Sequence, residues 1–130
     1  MILDTSAIVA VLRAEAEAPD FAEAIKSAAS RSVSAVSYME AAIVIDSGRS
    51  AVASRRFDEF FRVSGIQVEP VTRRQAEIAR QAYRDFGKGR HKAGLNFGDC
   101  FAYALAKEMD EPLLFKGKDF GHTDVEAAEI

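Results

Sequence analysis

Soft metal ligands are scarce in this sequence: 130 residues hold one cysteine, Cys100, and two histidines, His91 and His122. A lone cysteine excludes an internal disulfide, and three such donors leave no ordinary zinc set, so any metal would be bound through oxygen. Long apolar runs are missing as well. Stretches such as Ala41 to Ile45 fall far short of the roughly 20 residues that a membrane-spanning helix needs, and no charged start followed by an apolar run marks a signal peptide. The expected location is the cytoplasm, with no membrane partner. Internal repeats, linkers and low-complexity segments are also absent. Residues 1–130 are therefore expected to form one domain, whose 48% apolar content can supply a core.

Charge is not spread evenly. The formal net charge is −3, but residues 1–48 carry −4, residues 49–94 carry +6 and residues 95–130 carry −5. A basic middle between acidic ends can give the folded surface a positive flank for phosphates beside an acidic centre; a set of solvated helices would have the same composition.

The apolar spacing alternates strand-like and helix-like segments. Met1 to Leu3, Val33 to Val36, Ile66 to Val71 and Pro112 to Phe115 read as strands. Ser6 to Leu12, Pro19 to Ala29, Ser37 to Asp46, Ala51 to Val63, Thr72 to Phe86 and Phe97 to Met109 read as helices, the third of them expected to be largely buried. Gly117 to Asp124 is a turn-rich tail. This alternation indicates an α/β sandwich with a mainly parallel central sheet flanked by helices.

Several carboxylates fall at sheet edges or helix starts in this reading. Asp4 follows Met1, Ile2 and Leu3 directly, at the carboxyl end of a strand, where open α/β sheets bind ligands. It is equally placed to cap the next helix. Glu40 lies between Met39 and the apolar run Ala41 to Ile45, and a carboxylate pressed into a core needs an ion pair, hydrogen bonds or a metal. Ser37 and Glu40 also fit the capping-box spacing. Asn96 suits an N-cap, with Asp99 at the third helical position. Asp119 and Asp124 follow the last strand, and either one completes the set or serves the turns around Gly117 and Gly121. Carboxylates gathered within ~4 Å repel by about 4 kcal/mol per pair at an effective dielectric of 20, so a converging set implies a divalent cation or raised pKa values. Mg²⁺ suits hard oxygen ligands and retains several waters, and the chemistry it supports beside a phosphate is phosphodiester hydrolysis.

The opening Met1-Ile2-Leu3-Asp4-Thr5-Ser6-Ala7, the inner Glu40, the block Leu95-Asn96-Phe97-Gly98-Asp99-Cys100 and the closing Leu114 to Phe120 with Thr123-Asp124 together resemble the VapC-type toxins of the PIN-domain ribonuclease family. The match follows the family's order along the whole chain. The resemblance implies a single PIN-like domain at residues 1–130 and a magnesium-dependent endoribonuclease, Mn²⁺ substituting, that acts as the toxin of a type II toxin-antitoxin system. It implies Asp4 and Asp99 as metal ligands, Glu40 as a third catalytic acid and Asp119 as a fourth, with Asp124 as rival for that place because Lys118 departs from the family's usual tail. Ser6 and Asn96 would support the carboxylates. RNA as substrate, a VapB-type antitoxin protein and a homodimer follow from the same resemblance.

Other readings differ in what they require. A phosphoacceptor receiver domain needs paired acids after the first strand and an Asp after a central one, whereas Asp4 is solitary and the centre offers Glu69 before Pro70. A PIN scaffold that binds without cutting has no need of the acids retained here. Gly87 to Lys92 lacks the spacing and the Lys-Ser/Thr pair of a phosphate-binding loop and reads as a flexible basic loop. Ser6, Ser37 and His91 lack a hydrolase-triad pattern. The spacing of Phe57, Phe60 and Phe61 suits core or dimer contact better than base stacking.

Overall fold

In the computed structural model, which describes residues 1–130, Ile2–Leu3 (β1) lies between Ser32–Ser34 (β2) and Leu113–Leu114 (β4). Gln67–Glu69 (β3) extends the sheet beyond β2, for an order β3-β2-β1-β4. All three pairings are parallel, with Ile2 opposite Ser32 and Leu113, and Leu3 opposite Val33 and Leu114. Every strand thus delivers its carboxyl end to one edge. The chain leaves β1 for β2 on one side while β4 lies on the other, so the order reverses at β1, where α/β sheets open a crevice.

Side-chain alternation along these short strands divides the core. Ile2 and Leu113 face Arg73–Phe86 (α5) and Phe97–Met109 (α6), meeting Ala79, Tyr103 and Leu105. Leu3, Val33 and Leu114 face the other way, toward Thr5–Leu12 (α1), Ala18–Ser27 (α2), Ala35–Asp46 (α3) and Ala51–Ser64 (α4), meeting Ile8, Phe21, Ile45 and Phe57. The result is the expected α/β sandwich, a parallel sheet flanked by helices. No helix is long and apolar enough to cross a membrane.

Three local expectations are corrected. The third helix begins at Ala35 rather than Ser37, because Ser34 leaves β2 extended and its hydroxyl accepts a hydrogen bond from the Val36 amide. Ser37 is therefore inside the helix, and the Ser37 to Glu40 capping box does not form. That helix is also not largely buried, since Met39 is 56% and Ile43 54% exposed; an apolar run leaves open which faces receive a neighbour. Third, the Gly87 to Gly94 segment is not a free loop. Lys88 donates to the Leu95 carbonyl and Leu95 to that of Phe86, while His91 packs edge-on against Phe86 and its Nδ1 accepts from the Ala93 amide. Among the α4 aromatics, Phe57 packs tilted and Phe61 edge-on against Tyr38, at 5.3 and 4.9 Å between ring centroids, so they belong to the core between α3 and α4.

Candidate active site

Asp4 terminates β1 and caps α1 at once. Its backbone is still extended, and its Oδ2 accepts from the Ser6 amide at 3.0 Å and the Ser6 hydroxyl at 2.6 Å. Ser6 Oγ in turn accepts from the Lys116 amide at 2.9 Å, tying the carboxyl end of β1 to the segment leaving β4. Asp4 is only 4% exposed. Burial raises its carboxyl pKa even though the Ser6 bonds oppose the shift.

Glu40 stands in the second turn of α3, half-buried. The Thr5 hydroxyl lies 3.1 Å from both Glu40 Oε1 and the Ser37 carbonyl, and donates to one of them at a time. Burial raises the Glu40 pKa, and the nearby charge of Asp4 adds to the rise. Opposite its carboxylate is Gly98, where a Cβ would fall 2.0 Å from Oε1 and 2.3 Å from Oε2. The carboxylate thus rests against bare backbone at the start of α6.

Asp99 sits at the third position of a helix capped by Asn96, as its spacing suggested, and closes a full capping box. Asn96 Oδ1 accepts from the Asp99 amide at 2.9 Å, and Asp99 Oδ2 from the Asn96 amide at 3.0 Å. The same carboxyl is pushed up to about 6, first by burial and then by the charges of Asp4, Glu40 and Asp119, against the opposing Asn96 bond. Capping and membership of an acidic group are therefore both true of Asp99. Asp119, exposed just ahead of the short 3-10 turn Phe120–His122, makes no capping bond, and its charge acts on Asp99. Asp124 is held elsewhere. Its Oδ1 accepts from the Tyr103 hydroxyl at 2.5 Å and its Oδ2 from Lys107 Nζ at 3.1 Å, well along α6, and these bonds lower its pKa. Asp124 is thus engaged by Tyr103 and Lys107, whereas the charge of Asp119 is felt at Asp99.

Asp4, Glu40, Asp99 and Asp119 form no ion pair with a lysine or arginine, and Lys116, the basic residue next to Ser6, is paired with Glu15 and Glu17. No three carboxylate, histidine or cysteine groups stand close enough to enclose an ion by themselves. This donor set fits a hard cation that keeps several waters and leaves room for phosphate oxygens; it does not fit a closed all-protein cage. Two contributors escaped the sequence reading, Thr5 as the partner of Glu40 and Gly98 as its seat. Thr5 adjoins Asp4 and Gly98 adjoins Asp99, each in a block already singled out.

The PIN-domain family model matches residues 1–126. Ribonuclease VapC28 of Mycobacterium tuberculosis is 57% identical over 129 residues, covering 98% of this chain and 97% of that protein. Ribonuclease VapC of Mycolicibacterium smegmatis is 47% identical over 127 residues, covering 98% of each. Two solved structures share the fold: Mycobacterium tuberculosis VapC20, described as a Sarcin-Ricin loop cleaving toxin, at TM-score 0.74, 18% identity and 95% of each chain, and a toxin-antitoxin complex from Klebsiella pneumoniae at TM-score 0.73, 16% identity and 95% and 92% of the two chains. The receiver-domain reading is thereby set aside. With its parallel sheet, its acids at the carboxyl edge and a match along nearly its whole length, the chain belongs to the PIN-domain family, among the VapC-type members.

Proposed function

We propose that this protein is a magnesium-dependent endoribonuclease, the toxin of a toxin-antitoxin pair, hydrolysing RNA phosphodiester bonds at the group formed by Asp4, Glu40, Asp99 and Asp119. The observation that carries the reading is the approach of Asp4, Glu40 and Asp99, all three with raised pKa values and no protein cation to balance them, at the carboxyl edge where the strand order reverses. The ribonuclease names of relatives up to 57% identical support it.

In this reading Asp4 and Asp99 hold Mg²⁺, with Mn²⁺ as a substitute, and Glu40 and Asp119 complete the negative field. Bound, the cation supplies Lewis-acid stabilisation of the phosphoryl oxygens and a more acidic water. The residues do the rest. Ser6 fixes one oxygen of Asp4, so the carboxylate needs no reorientation when substrate arrives. Asn96 does the same for Asp99. Glu40, oriented by Thr5 and with a raised pKa, is suited to hold a proton taken from the attacking water. An antitoxin protein that covers this edge and a homodimeric assembly complete the proposal.

Purified protein incubated with total RNA should produce defined cut ends in Mg²⁺ or Mn²⁺ and none in excess chelator. Asp4→Asn and Asp99→Asn should reduce cutting to background while remaining folded, because the amide keeps the shape and the capping acceptor but loses the charge. Cutting that persists undiminished in chelator would overturn the metal mechanism. No cutting by the parent in either metal would favour a binding scaffold.

A further inference from the structure

Beside the acidic group, the first turn of α6 carries an aromatic residue that the fold does not use. Phe97 is 75% exposed, with its ring against Phe101 at 5.1 Å between centroids. Together they form one wall of a cleft of about 380 Å³ between α5 and α6, completed by Cys100, Ala79, Arg80 and Tyr83. The floor is almost wholly apolar, and the rim is cationic. The Arg90 guanidinium lies 5.4 Å from the centroid of the Tyr83 ring, itself 44% exposed. Arg62, Arg73, Lys107 and Lys116 have carboxylate partners, whereas Arg80, Arg84, Lys88, Arg90 and Lys92 form no ion pair.

Resting on the nuclease reading above, we propose that this α5–α6 cleft is a nucleobase subsite: a base near the scissile phosphodiester stacks on Phe97, and Arg80 and Arg90 take the flanking phosphates. Flat apolar walls with cations at the rim are what a single-stranded nucleotide needs, since its base offers π faces and its backbone negative charge. Phe97 and Asp99 project from different sides of one helical turn, about 10 Å across. A strand laid over the amino end of α6 therefore meets the cleft and the acids within neighbouring nucleotides. A second copy of the chain suits the cleft less well, because a two-fold contact centred there would set the unpaired cations of one subunit against the same cations of the other.

The test uses a short single-stranded RNA that the parent protein cuts. Phe97→Ala should raise KM by roughly 5-fold or more, the loss expected for one base–aromatic stack, with kcat changed much less. Phe97→Tyr should restore KM. Arg80→Ala with Arg90→Ala should also raise KM and should flatten the dependence of log affinity on log salt. In an Asp99→Asn background, 2-aminopurine placed beside the mapped cut should be quenched on binding, and Phe97→Ala should abolish the quench. If the parent cuts the RNA but the Phe97 variant matches it in KM and quench, the subsite is overturned while the nuclease reading stands. If Phe97→Ala instead dissociates an oligomer in light scattering and leaves KM unchanged, the cleft is a protein interface. A parent that cuts no RNA removes the premise itself.

Discussion

A methyl group at position 98 would stand 2.0 Å from Oε1 of Glu40, so the glycine is there to make room for a carboxylate. The clash is with the end of a flexible side chain, and Glu40 can swing away at little cost to the fold. Gly98→Ala should therefore shift the melting temperature by no more than a few degrees while cutting activity by about 100-fold, the scale on which misplacing a reacting group acts. Equal activity of the variant and the parent would show that Glu40 need not occupy this seat. Asp99 makes a separate prediction. Its carboxyl is held at about 6 against an ordinary 3.8, so between those values the native chain keeps a proton that the unfolded chain has released. The stability this provides is complete below about 3.8 and is lost as pH rises through about 6. In chelator, the parent should lose stability relative to Asp99→Asn as pH is raised across that window. A difference between the two melting curves that does not change with pH would exclude the shift.

At the scale of elements, α6 does two jobs with one turn. Asn96 caps the helix, and the reciprocal bond fixes the Asp99 side chain beside Asp4 and Glu40. Asn96→Ala removes a cap whose loss typically costs about 1 kcal/mol and loosens the helix start that presents Asp99, although the backbone amide of residue 96 can still donate to the Asp99 carboxylate. Both melting temperature and activity should fall, whereas Asn96→Ser, which can still accept the Asp99 amide, should recover most of each. Activity lost without any loss of stability would place Asn96 outside the cap. The cap at Asn96 was legible in the sequence because it is local, and the structure adds the reciprocal bond that makes it a capping box. The supposed box at Ser37 and Glu40 had the same spacing and was not real, because Ser34 at the end of β2 had already started that helix.

For the whole molecule, acids whose charges act on one another without a protein cation place repulsion in the cation-free native state that unfolding relieves. Mg²⁺ should therefore raise the melting temperature at matched ionic strength. At a hundred times its dissociation constant a native-state ligand adds about 2.7 kcal/mol, on the order of 10 °C for a domain of this size. Asp4→Asn should abolish most of that shift and Asp119→Asn should reduce it. Asp124→Asn should lower the melting temperature itself, through its weakened bond to Tyr103 and its lost ion pair with Lys107, while leaving the Mg²⁺ shift intact. A parental shift no larger than that produced by a monovalent salt would argue against a cation site.

What the amino-acid order determined alone is what depends on near neighbours: helix and strand type, the cap at Asn96, the position of Asp4 at a strand end, and the class of fold that such alternation produces. These follow from periodicity and from bonds that span a few residues. Only the tertiary structure decided that Thr5 reaches Glu40 across 35 positions, that Gly98 receives its carboxylate, that Tyr103 and Lys107 hold Asp124, and that Met39 and Ile43 face outward. Each of these depends on which elements the parallel sheet places side by side. A sequence specifies that packing only through the sum of many weak contacts, so no single motif can display it.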